Sequence, residues 1–129
     1  MEQKKKNAFT LVELLAVIVI LGLLAAVAVP SIIGPLKNSK QDLYEFQIKN
    51  IKEAAKSWAA ENVFSLPSEG ETKIIYLKNL GSFIDTEIKN PLTNELFGQC
   101  LEVAVEKISG QDRYTYEVQE DTINNDTGC

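Results

Sequence analysis

Residues 9–33 read FTLVELLAVIVILGLLAAVAVPSII, and this apolar run decides how the chain folds. Within residues 14–30, 15 of the 17 positions hold Ala, Val, Ile or Leu, and none is charged. A helix as long as the whole run spans about 37 Å at about 1.5 Å per residue, which exceeds the roughly 30 Å hydrocarbon core of a bilayer. A core helix in a small soluble domain keeps a polar side for the solvent, so a run that is apolar all round predicts insertion in a membrane.

A basic flank sets the predicted orientation of this segment. Lys4, Lys5 and Lys6 stand just before the run, with Glu2 as the one acid beside them. Lysines at one end of a membrane helix hold that end in the cytoplasm, so the remainder of the chain is predicted to be exported. A secretory signal peptide is an open alternative, in which residues 26–28 (Ala-Val-Ala) form the cleavage site and a secreted binding domain is released.

Glu13 is the residue that an ordinary signal peptide does not explain. A carboxylate inside an apolar run costs about 2.5–3.5 kcal/mol on insertion scales. Glu13 is the last residue of the stretch Ala-Phe-Thr-Leu-Val-Glu at residues 8–13, which follows the lysines of the leader. This stretch resembles the class III signal of type IV pilins and pseudopilins, with Ala8 at the position where that family more often has glycine.

The resemblance implies how the chain is processed and which residues serve its assembly. Prepilin peptidase would cut between Ala8 and Phe9 and methylate the new amino group of Phe9. The glutamate that stands fifth in mature pilins is Glu13. Gly22 and Pro30 fall where pilins commonly place a glycine and a proline, so they join Phe9 and Glu13 as expected assembly residues.

Cleavage at this site would supply a partner for the buried acid. It creates a positive charge on the nitrogen of Phe9, four residues before Glu13, and an ion pair in a low dielectric is far better than a lone carboxylate. The resemblance implies that the pair forms between subunits, with Glu13 of an incoming chain facing Phe9 of a chain already in the filament. A pair within one helix is the alternative, because residues i and i+4 share a face.

The residue pattern predicts an α+β fold in which a long amino-terminal helix packs on a small antiparallel sheet, and this is also the arrangement found in pilins. Residues 1–8 are the leader that the peptidase would remove. Residues 9–33 form the membrane-spanning and assembly half of the helix, and residues 34–62 form its amphipathic half. Residues 63–129 form a small globular head.

The amphipathic half of the helix carries its apolar residues on one arc at about 100° per residue. The face expected to pack on the head consists of Leu43, Tyr44, Ile48, Ile51, Ala54, Ala55 and Trp58. Phe46 lies off this arc and is predicted at a subunit contact. The helix should end before Pro67, and Pro30 and Pro35 predict a kink or local melting between them.

Alternating residues in the head predict an antiparallel hairpin made of residues 99–108 and 114–118, joined by a turn at 109–112. Its first strand should point Leu101, Val103 and Val105 to the core and Glu102, Ala104 and Glu106 away from it. Two strands alone are marginal, so a third partner strand is expected. Three further short elements are predicted: a strand at 73–76, a helical turn at 77–80 and a turn at 90–94.

Cys100 and Cys129 are the two cysteines of the chain. In an exported domain such a pair most often forms a disulfide, and many pilins hold a carboxy-terminal loop in this way. A disulfide that closes the loop from Cys100 to Cys129 would stabilise the head by about 3–4 kcal/mol in the chain-entropy model. Two reduced thiols are the alternative.

Composition argues against catalysis, a cofactor, a metal site and nucleic-acid binding. The 129 residues include no histidine, which removes the commonest general base and metal ligand. Residues 66–129 hold 5 bases and 12 acids, so the head carries a net charge of -7 and repels phosphate backbones. Four calcium-type ligands crowd the tail, but their spacing matches no calcium loop and predicts a solvated turn: Asp121, Asn124, Asn125 and Asp126.

The resemblance implies a structural subunit of a type IV pilus or pilus-like extracellular filament. Its expected partners are other copies of itself or related pilins, the membrane, prepilin peptidase and the pilus assembly machinery. The precursor would cross the cytoplasmic membrane once and later enter a cell-surface filament. A minor pilin or pseudopilin of a competence (DNA uptake) or type II secretion machine is the alternative.

Overall fold

The computed structural model describes residues 8–129, which form a long helix and a three-stranded antiparallel sheet. The helix α1 is Leu11–Glu61, and the strands are β1 (Thr72–Tyr76), β2 (Glu102–Lys107) and β3 (Tyr114–Val118). Short 3-10 turns stand at Val63–Ser65, Leu77–Leu80 and Glu120–Thr122. The predicted α+β fold is confirmed, and so is the third strand that the hairpin required.

The described residues fall into two compact units, the first ending at Ser39 and the second running from Lys40 to Cys129. The first unit is the apolar part of α1. Every Val, Leu, Ile and Phe side chain from Phe9 to Leu36 is more than half exposed. Within residues 8–129, α1 is the helix that is long and apolar enough to cross a bilayer. A surface this apolar is unsuited to water, and it fits the predicted membrane segment.

The predicted local melting between Pro30 and Pro35 is wrong, because α1 continues through both prolines. Each proline removes one main-chain donor, whereas the helical hydrogen bonds on either side persist. Serine hydroxyls next to the prolines also donate to helix carbonyls: Ser31 Oγ to Ala28 O at 2.7 Å and Ser39 Oγ to Pro35 O at 2.9 Å. These extra hydrogen bonds to helix carbonyls lie in the region where proline removes main-chain hydrogen bonds of the helix.

In the second unit, α1 packs one face on the core of the head. Its buried residues are Tyr44, Ile51, Ala54, Ala55 and Ala59, and Ile48 and Trp58 are half-buried against them. The predicted face is therefore confirmed except at Leu43, which is 53% exposed. Leu43 lies at one edge of the arc, about 100° from Tyr44, whereas Ala59, just beyond the opposite edge, is buried.

The helix ends at Glu61, before Pro67 as predicted. Asn62 terminates it, because its side-chain nitrogen donates to the Trp58 carbonyl at 2.8 Å and its main-chain nitrogen donates to the same oxygen at 3.0 Å. These bonds satisfy a carbonyl that the helix leaves without a partner at its end.

The sheet has the strand order β1-β2-β3, and each neighbouring pair is antiparallel. One row of partners crosses all three strands on the inner face: Ile75, Val103 and Val118. These three side chains are buried in the core that α1 covers. Alternation along each strand therefore places the apolar residues of the head beneath the helix.

Ala104 points away from this core, as predicted, yet it is only 8% exposed. Its register partners on the outer face are Ile74 of β1 and Glu117 of β3. A single methyl group between two larger neighbours is covered by them, so burial here does not mark a second core.

The turns of the head follow the predicted positions. Gly110 has φ 72° in the turn between β2 and β3, which suits glycine because it has no Cβ. At 90–94 the Asn90 side chain accepts a hydrogen bond from the Leu92 amide at 2.9 Å, and the Asn94 amide donates to the Asn90 carbonyl at 2.8 Å. Both turns are thus set by local chemistry that the sequence displays.

Candidate functional site

The amino end of α1 is closed by a reciprocal pair of hydrogen bonds between Thr10 and Glu13. The Glu13 amide donates to Thr10 Oγ1 at 3.2 Å, and the Thr10 amide donates to Glu13 Oε2 at 3.0 Å. A threonine followed by a glutamate three residues later forms this capping box, which satisfies two amides at the helix start. Glu13 therefore has a fixed position within the first turn.

Thr10 is a site residue that the sequence prediction missed. The prediction paired Glu13 with the amino group of Phe9, which exists only after cleavage, whereas in the uncleaved chain the nitrogen of Phe9 belongs to a peptide bond. The signal for Thr10 was available in the spacing Thr-x-x-Glu before an apolar run. Glu13 thus has a hydrogen-bond partner in the uncleaved chain, and its pair with the amino group of Phe9 stays a prediction.

A shallow apolar hollow of 470 Å³ lies beside Glu13. It is lined by Phe9, Glu13, Leu14, Ala16 and Val17. Phe9 itself is 89% exposed and makes one wall of the hollow. Phe9 and the first two turns of α1 therefore combine an aromatic ring, a carboxylate and an open apolar surface.

The predicted scissile bond, between Ala8 and Phe9, lies before the first residue of α1. Both residues are exposed and lie outside the helices and strands. Proteases act on exposed, non-helical segments, so this position suits cleavage. The rest of the predicted leader, residues 1–7, lies outside the described residues.

Gly22 and Pro30 lie within α1, and the structure does not bring them to the Phe9–Glu13 end. They stand about 14 Å and about 26 Å along the helix axis from Glu13 at about 1.5 Å per residue. A Cβ built on Gly22 would meet nothing within 4 Å, so this chain by itself does not require glycine there. Any need for a small residue at Gly22 must come from a neighbouring molecule.

Cys100 and Cys129 form the predicted disulfide, with their Cα atoms 5.7 Å apart. Hydrogen bonds hold the tail to the same segment independently of the sulfur atoms. The Gly98 amide donates to the Ile123 carbonyl at 2.8 Å, and the Cys100 amide donates to the Asn125 carbonyl at 2.7 Å. The tail is therefore attached at several points.

Two tail residues weighed as calcium ligands hold the tail by hydrogen bonds. Asp126 Oδ1 accepts a hydrogen bond from the Gln99 amide at 3.0 Å, and the Asn125 carbonyl is the acceptor for Cys100. The tail passes so close to Gly98 that a Cβ there would collide with the main chain of Asn125. Gly98 is a second residue that the sequence prediction missed, since a lone glycine does not reveal a close approach.

Comparisons with known proteins agree with this amino-terminal site. Residues 3–29 match the family described as the prokaryotic N-terminal methylation motif. The chain is also 35% identical over 68 residues to the type II secretion system core protein G of Pseudomonas aeruginosa. That match covers 53% of this chain, and the chain spans about half the length of the relative, 47%. No solved structure matches the chain significantly.

The motif contains Phe9 and Glu13 and ends within the apolar run. The match to the secretion protein extends over more residues than the motif contains, so the similarity is not confined to the motif. The chain carries the N-terminal methylation motif of prokaryotic pilins and is similar to a type II secretion core protein, which confirms its resemblance to the type IV pilin and pseudopilin family.

Proposed function

We propose that the chain is a structural subunit of a type IV pilus or pilus-like filament, held in the cytoplasmic membrane as a precursor and polymerised through α1. The observation that carries the proposal is the position of the methylation motif. It covers the start of α1, where every Val, Leu, Ile and Phe side chain from Phe9 to Leu36 is more than half exposed. Such a surface suits lipid in the precursor and neighbouring helices in the polymer.

Processing and assembly would then act on the same few residues. Cleavage between Ala8 and Phe9 creates an ammonium group that methylation leaves charged. Glu13 accepts the Thr10 amide through Oε2, which leaves Oε1 for the ammonium group of a neighbouring Phe9. The cap and the proposed ion pair between subunits are therefore compatible, and apolar packing along α1 would supply the remaining cohesion.

A second candidate is a pseudopilin of a type II secretion or competence machine. The similarity to a type II secretion system core protein favours this candidate. Both candidates share the same assembly chemistry, and they differ in how much filament the cell displays. The quantity of this chain in fibres sheared from the cell surface separates an abundant pilus subunit from a pseudopilin.

The charge of Glu13 is tested by Glu13→Gln, because glutamine keeps an oxygen that accepts the Thr10 amide and loses only the negative charge. Glu45→Gln is the matched control, since Glu45 is an exposed residue of the same helix. Membrane insertion of both variants should equal the wild type. Losing one partner of a buried pair should lower incorporation of Glu13→Gln into fibres at least about tenfold. Normal incorporation of Glu13→Gln would refute the proposed ion pair.

A further inference from the structure

The strand β1 has a free edge, and Ile74 occupies its centre. The Leu77 amide donates to the Leu101 carbonyl at 2.9 Å. This pair continues the register in which Ile75 stands opposite Val103, two residues away along each strand. Every second pair in an antiparallel ladder is hydrogen-bonded, so Ile75 and Leu77 direct their main-chain groups to β2. Ile74 lies at the alternate position, and its amide and carbonyl therefore point away from β2. Within residues 8–129 no main-chain group bonds to Ile74 at this edge.

A groove of 360 Å³ runs along this free edge. We call it the β1 groove, and its lining consists of Trp58, Lys73, Ile74, Ile75, Tyr76, Lys78, Asn79 and Cys129. One end is closed, because Asn79 Oδ1 accepts the Tyr76 amide at 3.1 Å. Trp58 is half-buried and contributes an aromatic wall from α1. The groove therefore offers an apolar wall beside unpaired main-chain groups.

The charge of the β1 groove is opposite to that of the rest of the head. Its lining side chains include two lysines and no aspartate or glutamate, whereas residues 66–129 hold 5 bases and 12 acids. Lys78 is held in place, since its Nζ donates to the Cys129 carbonyl at 2.6 Å and lies 5.9 Å from the centre of the Tyr76 ring. Lys73 is exposed on the edge strand itself.

We propose that the β1 groove binds an extended acidic segment of a partner protein, which adds to the sheet as a fourth strand beside β1. Main-chain bonds to Ile74 would supply affinity, and Trp58 and Lys73 would select the side chains of the segment. Lysine on an edge strand also discourages pairing with other copies, but a groove whose charged side chains are both lysines attracts a carboxylate-rich strand. The groove lies entirely in the head, so this inference does not rest on the assembly role of α1.

Full-length protein in detergent micelles and a fluorescein-labelled peptide of alternating glutamate and valine test the proposal. The acidic peptide should raise fluorescence anisotropy on binding, and the matching lysine–valine peptide should not. Lys73→Glu should weaken binding at least about threefold, whereas Lys89→Glu makes the same charge change at an exposed residue outside the groove and should have little effect. Equal binding of both peptides, or no binding of the acidic one, would overturn the proposal.

Hydrogen exchange distinguishes strand addition from attraction between charges alone. Binding should slow exchange of the Ile74 amide at least about tenfold, because a new ladder bond would protect it. The Tyr116 amide is the control, since it points to the opposite free edge of the sheet, on β3. Binding without protection of Ile74, or with equal protection of Tyr116, would contradict addition beside β1.

Discussion

Thr10 and Glu13 hold each other at the amino end of α1, through a 3.0 Å hydrogen bond from the Thr10 amide to Glu13 Oε2 and a 3.2 Å bond from the Glu13 amide to Thr10 Oγ1. The carboxylate is therefore placed before any neighbouring subunit arrives. An acceptor that is already fixed loses less conformational entropy when an ammonium group binds it. The capping box connects helix formation with the proposed assembly step.

Thr10→Val should loosen the first turn of α1. Valine has nearly the shape of threonine but cannot accept the Glu13 amide, and losing such a cap costs about 1 kcal/mol. Hydrogen exchange of the Glu13 amide in micelles should therefore be about fivefold faster than in the wild type. Thr10→Ser keeps the hydroxyl and should exchange at nearly the wild-type rate. Equal rates for the valine and serine variants would show that the cap does not stabilise the turn.

Gly98→Ala should destabilise the head by about 1–3 kcal/mol, because its Cβ would collide with the main chain of Asn125. The tail cannot move away easily while the Gly98 amide bonds to Ile123. Gly81→Ala is the matched control, since a Cβ at Gly81 meets its nearest atoms at an ordinary 3.8 Å. Urea unfolding followed by the fluorescence of Trp58, the one tryptophan, measures both changes. Similar midpoints for the two variants would contradict the close approach.

Reduction of the Cys100–Cys129 disulfide should lower the stability of the head by about 3–4 kcal/mol. The tail should nevertheless stay attached, because the Cys100 amide bonds to the Asn125 carbonyl without help from sulfur. The same urea unfolding, with and without dithiothreitol, gives the loss of stability. Exchange of the Cys100 amide reports whether the tail remains. Rapid exchange of the Cys100 amide below the unfolding midpoint would show that the tail is released after reduction. That result would contradict attachment of the tail by hydrogen bonds alone.

Tyr44 should make the head sensitive to alkali. Burial raises the pKa of the Tyr44 phenol, and the nearby charge of Glu120 raises it further. The folded state then holds the phenol proton more tightly than the unfolded chain, so this stabilisation is complete below the unfolded pKa of about 10 and is lost as the pH rises above it. Thermal unfolding between pH 8 and pH 11 should show a steeper alkaline loss in the wild type than in Tyr44→Phe. The same loss of stability with pH in the wild type and in Tyr44→Phe would contradict the raised pKa of Tyr44.

Most of the fold follows from periodicity in the sequence, and the exceptions have local physical causes. Strand alternation predicted Val103 and Val105 in the core, and the structure confirms both. The helix period predicts Leu43 on the packed face, at its edge, and the structure leaves this side chain 53% exposed. Ala59 is only 2% exposed, although the predicted face did not include it.

The candidate site was predicted in part, because the sequence displays chemistry more clearly than contacts. The charge of Glu13 inside an apolar run drew attention to the amino end of α1, and the cysteine pair predicted the disulfide that the structure contains. The contact of Gly98 with Asn125 joins residues 27 positions apart through main-chain atoms, which have no signature in residue type. The edge of β1 became visible only when the strand order was known.

Mass spectrometry of the amino-terminal peptide, from protein purified out of the membrane, reports whether the ammonium group proposed to neutralise Glu13 is formed. A peptide that begins with Phe9 and carries one methyl group on its nitrogen is the predicted result. A chain that begins at Val29 would indicate an ordinary signal peptide, and a chain that still begins at Met1 would leave Glu13 without the proposed partner. Either of these results would contradict assembly through a Phe9–Glu13 pair.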